Sequence, residues 1–261
     1  MQILFPSDPF RTRLPDEAYA EEHQEWSERG LSTAVFSFES FLNGSFQPRP
    51  ALEAEVPVLY RGWMLTPDQY AQLHQAVAAE GARLRTSPEA YERCHYLPRW
   101  YPLLAEFTPE TRFFAETDPI VSSLRESGWD SCFLKDYVKS LGATGSMVRD
   151  LNQIPEVLTR MRKYRGTIEG GVCARRLESF LPDSEDRYLV SDGRVYGRSG
   201  PIPEVVRFAA ERIASPFFTV DTTQRDDGTI RIIELGDGQV SDRKQWSAGD
   251  WVSALAGKVA P

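Results

Sequence analysis

Lys135 and Lys139 stand four residues apart, and only five of the thirty basic residues are lysines, the others being Lys163, Lys244 and Lys258. Lys135 lies in an apolar run read as a strand over 132–138. Lys139 falls at its end, directly before the small residues Ser140-Leu141-Gly142-Ala143-Thr144-Gly145-Ser146. Small residues let backbone N–H groups approach an anion, and a lysine supplies a point charge to phosphate. The loop lacks the Gly-x-x-x-x-Gly-Lys-Ser/Thr pattern of a P-loop. Further on, the β-rich runs 217–221 and 230–235 carry Asp221 and Glu234, and the turn between them contains Asp227-Gly228. In a hairpin these carboxylates could approach one another. They would repel unless a cation such as Mg²⁺ sat between them, with a nucleotide's phosphates completing its shell. Two readings stay open: a metal-binding pair, or a solvated hairpin with surface acids, since Asp-Gly turns serve hairpins of every function. Positive charge for phosphates on one segment and metal ligands on another is the division of labour that phosphoryl chemistry needs.

The elements that must position these residues form a mixed pattern. Residues 2–5 read as a buried strand, 16–29 as a helix with Tyr19, His23 and Trp26 near one face, and 32–38 and 56–60 as strands. Thr66 and Pro67 open a helix that runs to Glu80, and 83–85 is a further short strand. Residues 1–90 therefore read as an open α/β unit. Ligands of such sheets bind outside the carboxyl ends of the strands, which directs attention to Asp8 and to Arg61-Gly62-Trp63. Arg61 could pair with a substrate carboxylate; the alternative is a buried ion pair beside a packed tryptophan. Residues 88–113, rich in proline and aromatics, read as a linker with one short helix. Helices are expected at 118–126, 154–164 and 204–213, and strands at 171–177, 187–190 and 194–197. The C-terminal half is thus expected to mix mostly antiparallel strands with helices.

Composition excludes several classes. The net charge of −8 argues against a nucleic-acid binder working through a broad basic surface. Cys94, Cys132 and Cys173 are odd in number and lack CxxC spacing, so they read as buried or free thiols in a reducing compartment. His23, His74 and His95 are equally scattered. No apolar stretch approaches the roughly 20 residues needed to span a bilayer. The first six residues lack the basic flank of a signal peptide, so a cytoplasmic protein is expected.

The order of these motifs resembles the ATP-grasp superfamily, and within it the divergent clade named for a lysine in place of a usual arginine. The resemblance covers nearly the whole chain. It is carried by Phe133-Leu134-Lys135-Asp136-Tyr137-Val138-Lys139-Ser140, by Glu185-Asp186-Arg187-Tyr188-Leu189-Val190-Ser191-Asp192-Gly193 and by Ile233-Glu234-Leu235-Gly236-Asp237-Gly238-Gln239. Pro6-Ser7-Asp8-Pro9 and Tyr60-Arg61-Gly62-Trp63-Met64-Leu65 add to it.

The resemblance implies an α+β fold: an N-terminal α/β domain over 1–90, a first ATP-grasp lobe with its linker over 91–178, and a second lobe with the metal ligands over 179–261. The lobes would grip ATP between mostly antiparallel sheets. The implied activity is an ADP-forming, Mg²⁺-dependent ligase that joins a small-molecule or peptide carboxylate to an amine or thiol through an acylphosphate. Lys135 would contact the nucleotide phosphates, and Lys139 would hold phosphate with Gly142, Gly145 and Ser146. Segment 174–179 would be the inter-lobe strand whose backbone, at Arg176 and Leu177, meets the adenine edge, and Glu178 would meet the ribose. Glu185 and Arg187 match a Glu-x-Arg strand; Arg187 either faces the transferred phosphoryl group or is a strand-surface arginine. Asp221, Glu234 and Asp237 would hold Mg²⁺, and Asp8, Arg61 and Trp63 an acceptor. Two positions depart from the family pattern. Gly236 stands where many members have asparagine, and Thr219 where many have arginine. These departures keep alive a rival reading, a nucleotide-binding module without turnover.

Overall fold

The computed structural model describes residues 1–256, so Lys258 lies outside it. The chain divides into two compact units: Met1–Cys94 with Arg187–Val220 and the segment from Gly236 onward, and His95–Asp186 with Asp221–Leu235.

The first unit is built on four parallel strands, β1 (Gln2–Pro6), β2 (Thr33–Phe36), β3 (Pro57–Tyr60) and β4 (Arg83–Leu84), in the order β2-β1-β3-β4. Its helices are α1 (Ala20–Glu28), the short α2 (Phe38–Leu42) and α3 (Pro67–Ala79). The period-2 alternation of strand side chains gives the sheet two apolar faces. Leu4, Ala34, Val58 and Tyr60 pack with Tyr70, Leu73 and Val77 of α3. Ile3, Phe5, Val35 and Leu59 pack with Trp26 of α1 and with Trp251, Val252 and Leu255 near the C-terminus. Thr66 and Gln69 form a complete capping box at the start of α3, with Pro67 at its first position.

The linker expected over 88–113 is corrected. It contains α4 (Pro88–His95), α5 (Leu97–Leu104) and the start of a strand. Leu97, Trp100 and Leu104 recur at helical spacing and are buried, and Pro98 sits in the first turn, where a missing N–H costs nothing. The density of proline masked that period.

The second unit holds the antiparallel sheet of β5 (Thr111–Phe114), β6 (Cys132–Asp136), β7 (Met147–Val148) and β8 (Val172–Arg175), in the order β5-β8-β6-β7. With it go α6 (Ile120–Glu126), α7 (Gly142–Ser146) and α8 (Ile154–Arg165). The segment 140–146, expected as a loop, therefore ends in a five-residue helix. The strand expected over 171–177 stops at Arg175. One face of this sheet, with Leu134, Val172 and Ala174, packs on Ile154, Leu158 and Met161 of α8.

The remaining strands are β9 (Asp186–Ser191), β10 (Arg194–Tyr196), β11 (Phe217–Gln224) and β12 (Ile230–Asp237), in the order β10-β9-β11-β12. The last helices are α9 (Glu204–Arg212) and α10 (Ala248–Leu255). β11 and β12 are neighbours joined by the turn 225–229, where Gly228 takes a φ of 85° and Asp227 Oδ1 accepts from the Thr229 N–H. The expected hairpin is present, and both of its strands run past the expected carboxylates. Cys94, Cys132 and Cys173 are free and buried. Among the described residues no helix is long and apolar enough to cross a membrane.

Candidate functional site

A cavity of about 410 Å³ lies wholly within the second unit. Strand register builds one wall. Phe133 faces Arg175, and Lys135 faces Cys173, across the β6–β8 pair. Directly opposed residues share a sheet face, so Phe133, Lys135 and Arg175 project together. Leu134 and Ala174 turn into the core instead. Met147 and Gly142 continue the lining, followed by the segment Arg176, Leu177 and Glu178 after β8, then Glu185, Ile233 and Glu234.

Lys135 is 5% exposed, and its Nζ lies 3.5 Å from Glu234 Oε1. A lysine so enclosed needs a counter-charge, and Glu234 supplies one while keeping 31% of its side chain exposed. Beneath it, burial pushes the Cys173 thiol up to about 12, with Lys135 opposing. The guanidinium of Arg175 is lowered to about 10 by burial. Arg175 donates from Nη1 to the Ile233 carbonyl at 2.6 Å and from Nη2 to Thr108 Oγ1, while Thr108 donates to the Ile232 carbonyl at 2.7 Å. The two peptides preceding Glu234 are thereby tied to β8 and to residue 108.

Glu178 is held by a fork: Arg231 Nε and Nη2 each lie 3.0 Å from one of its oxygens. Arg176 instead pairs with Glu110 at 2.9 Å and stacks over Trp129. Asp136 organises the approach to the small-residue segment, its Oδ1 accepting from the Val138 N–H at 2.7 Å and the Lys139 N–H at 2.5 Å.

Of the residues singled out in the sequence, Lys135, Gly142, Arg176, Leu177, Glu178, Glu185 and Glu234 are brought to this cavity. Lys139, Gly145, Ser146 and Asp221 belong to the same unit without lining it. Asp221 is 1% exposed within β11. Sequence reasoning missed Phe133, Met147, Ile233, the side chain of Arg175, and the supporting pair Thr108 and Arg231. Phe133 alone was signalled, by its two-residue spacing from Lys135.

The other candidates belong to the first unit. Arg61 is 1% exposed; Nε and Nη2 donate to Glu22 at 2.8 and 2.6 Å, and Nη1 to the carbonyls of Gly238, Gln239 and Ser241. It lies 4.9 Å from the ring centre of Trp251. Arg61 forms the buried ion pair of the second reading, with Trp251 rather than the neighbouring Trp63 packed beside it. Trp63 is 43% exposed and meets Tyr19 edge-on. Asp8 closes a turn, accepting from the Phe10 and Arg11 N–H groups and the Arg11 guanidinium, and Arg11 holds its carboxyl below the usual range. Arg187 is bound to Asp242 at 2.6 Å.

Asp237 is fully buried. Its Oδ1 accepts from the backbone and side-chain nitrogens of Gln239, and burial raises it to about 7. The two departures from the family pattern meet at one point. A Cβ at Gly236 would lie 2.6 Å from Ser241 Oγ and 3.0 Å from Thr219 Oγ1, and those hydroxyls bond each other at 2.9 Å. A side chain at position 236 would have to displace the Ser241 and Thr219 hydroxyls.

Among the described residues no group of three His, Cys, Asp or Glu side chains is placed to hold a metal ion. Mg²⁺ needs no such cage, because it is commonly bound by one or two carboxylates together with substrate phosphates and water. Glu234, partly exposed at the cavity, is a carboxylate of that kind, while Asp221 is enclosed in β11 and does not line the cavity.

Parallel and antiparallel sheets with their helices define an α+β fold class, and comparison supplies its family. Residues 64–256 match the ATP-grasp domain family of the arginine-to-lysine clade, the third family of that clade, and the chain belongs to that family. A comparison with curated proteins gives no match. Among solved structures, an ATP-grasp RimK domain protein from Sphaerobacter thermophilus is 16% identical with a TM-score of 0.66, covering 100% of this chain and 99% of the other. The ATP-grasp ligase PsnB, complexed with minimal precursor, Mg and ADP, is 15% identical with a TM-score of 0.61, covering 98% and 97%. D-cycloserine synthetase DcsG is 13% identical with a TM-score of 0.63, covering 100% of both. These likenesses establish the α+β ATP-grasp fold.

Proposed function

We propose that this protein is an ADP-forming ligase that joins a small-molecule or peptide carboxylate to an amine or thiol. The observation that carries the reading is the opposition of Lys135 and Glu234, 3.5 Å apart, in a cavity that continues along residues 176–178. Family membership supports it, as does a fold shared with ATP-grasp ligases.

In this reading the substrate carboxylate attacks the γ-phosphorus of ATP and ADP leaves, giving an acylphosphate. The amine or thiol then attacks the acyl carbon, phosphate departs with the bonding electrons, and the nucleophile gives up its proton. The chain's part is to position and to offset charge. Lys135 would neutralise phosphate oxygens, and Lys139 would do so beside Gly142. The backbone of Arg176 and Leu177 would meet the adenine edge, between Phe133, Met147 and Ile233. Glu234 and Asp221 would hold Mg²⁺, which supplies Lewis-acid neutralisation of the transferring phosphoryl group.

One experiment tests this. Thermal unfolding is followed with Mg²⁺ and ATP, and ADP release is measured with pools of amino acids and peptides. ATP at a hundred times its Kd stabilises by about 2.7 kcal/mol. Absence of any stabilisation overturns the nucleotide reading. The departures at Gly236 and Thr219 favour a second reading, a nucleotide-binding module without turnover, and stabilisation with no ADP release across all acceptors would support that one instead.

A further inference from the structure

Arg175 lines the cavity yet is 5% exposed, and both of its hydrogen-bond acceptors are neutral, the Ile233 carbonyl and the Thr108 hydroxyl. Its Nε is enclosed without a partner. A buried guanidinium with an unpaired donor costs stability, and an apolar side chain of similar size would pack there at less cost. What an apolar side chain would lack is direction, since the guanidinium is a planar fork that fixes two acceptors at once.

Thr108 relays the contact. Fully buried, it accepts from Arg175 Nη2 and donates to the Ile232 carbonyl at 2.7 Å, while its own carbonyl accepts from Arg231 Nη2 at 2.6 Å. Arg231 Nη1 also reaches the Glu106 carbonyl at 2.7 Å. Two consecutive carbonyls of β12, at Ile232 and Ile233, are thus held by side chains directly before Glu234. Glu234 keeps 31% of its side chain exposed. Its carboxylate stays accessible while its backbone is pinned, as a preset metal ligand requires.

We infer that Arg175, acting through Thr108, is a positioning residue: it pins β12 at residues 232–233 so that Glu234 is preset for the Mg²⁺ that accompanies a nucleotide. This rests on the nucleotide reading above. Without the pin, β12 would shift against β8 and Glu234 would have to be ordered at the moment of binding. The loss would fall on the metal-dependent part of nucleotide affinity, while the contacts of Lys135 and of residues 176–178 persisted.

The test is calorimetric titration of the purified full chain with ATP, once with Mg²⁺ and once with EDTA. The wild type is expected to bind ATP about 10-fold more tightly with Mg²⁺, the scale of one charge-assisted contact. Arg175→Met should remove most of that preference, with metal-free binding nearly unchanged. Arg175→Lys, which keeps the charge without the fork, should lose most of it too. Thr108→Val, which keeps the shape and removes the relay, should lose part of it, and it carries the test should Arg175→Met fail to fold. In a Glu234→Gln background, Arg175→Met should have no further effect on the preference. Equal weakening with Mg²⁺ and with EDTA, or a lowered melting temperature with the preference intact, would make Arg175 a purely structural tie and overturn this inference. An undiminished preference in Arg175→Lys, or a wild type that binds ATP equally under both conditions, overturns it as well. All of these leave nucleotide binding standing. Binding of ATP under neither condition overturns both.

Discussion

The two units each contain a polar centre built around an arginine–glutamate fork, and the centres differ in what they leave open. In the first unit Arg61 and Glu22 are 1% and 2% exposed, and the arginine's remaining contacts go to three backbone carbonyls. In the second unit the Arg231–Glu178 fork is partly exposed beside a cavity that also holds Lys135 and Glu234. Charge enclosed and saturated by its own chain supports structure. Charge matched on one side and accessible on the other supports binding. The residue types alone do not separate the two cases, since both forks are Arg with Glu.

The comparison can be broken first at its structural end. Arg61→Met leaves Glu22 buried without its hydrogen-bonded fork and with the longer 3.6 Å contact to Arg243, and denaturant unfolding should show a loss of about 3–5 kcal/mol. An unaltered melting curve would mean that this centre is not structural. At the binding end, Glu234→Gln should lower Mg²⁺-dependent ADP release about 100-fold while the melting temperature stays near wild type. Unchanged turnover would remove Glu234 from the site.

Asp237 sharpens the contrast further, because it lies three residues beyond Glu234 on β12 and is fully buried. Its folded pKa of about 7 lies above the unfolded value of 3.8. Stability from the neutral carboxyl is therefore complete below the unfolded pKa and is lost as pH rises through the folded one. Asp237→Asn should match wild type at acid pH and exceed it above neutrality by roughly 4 kcal/mol, read from unfolding at several pH values. An equal difference at every pH would refute the linkage. The smallest effect is expected at Gly236→Ala, where crowding against Ser241 and Thr219 should cost about 1–2 kcal/mol. Combining it with Ser241→Gly should recover most of that loss.

Much of the site was legible because some chemistry is local in sequence. Lys135 was marked by the scarcity of lysine and by the small residues after Lys139. The hairpin was marked by its β-branched runs and Asp227-Gly228. Arg175, Thr108 and Arg231 carried no such mark. They act through contacts such as Arg231 with Glu178, 53 residues apart, and Arg175 with Ile233, 58 apart. The helix α5 was hidden for another reason, since Pro98 and Pro102 interrupt a pattern whose buried face only packing reveals.

Local order therefore settled which residues could carry charge, most of the strands and helices, and the family resemblance later matched over residues 64–256. The tertiary structure alone decided which charges stay usable. Arg61 and Asp237 resembled site residues in sequence and proved to be enclosed, while Glu178 and Glu234 kept access to a cavity. The reason is physical: the charge of a side chain is set by its own chemistry, but its solvation is set by distant residues that fold around it.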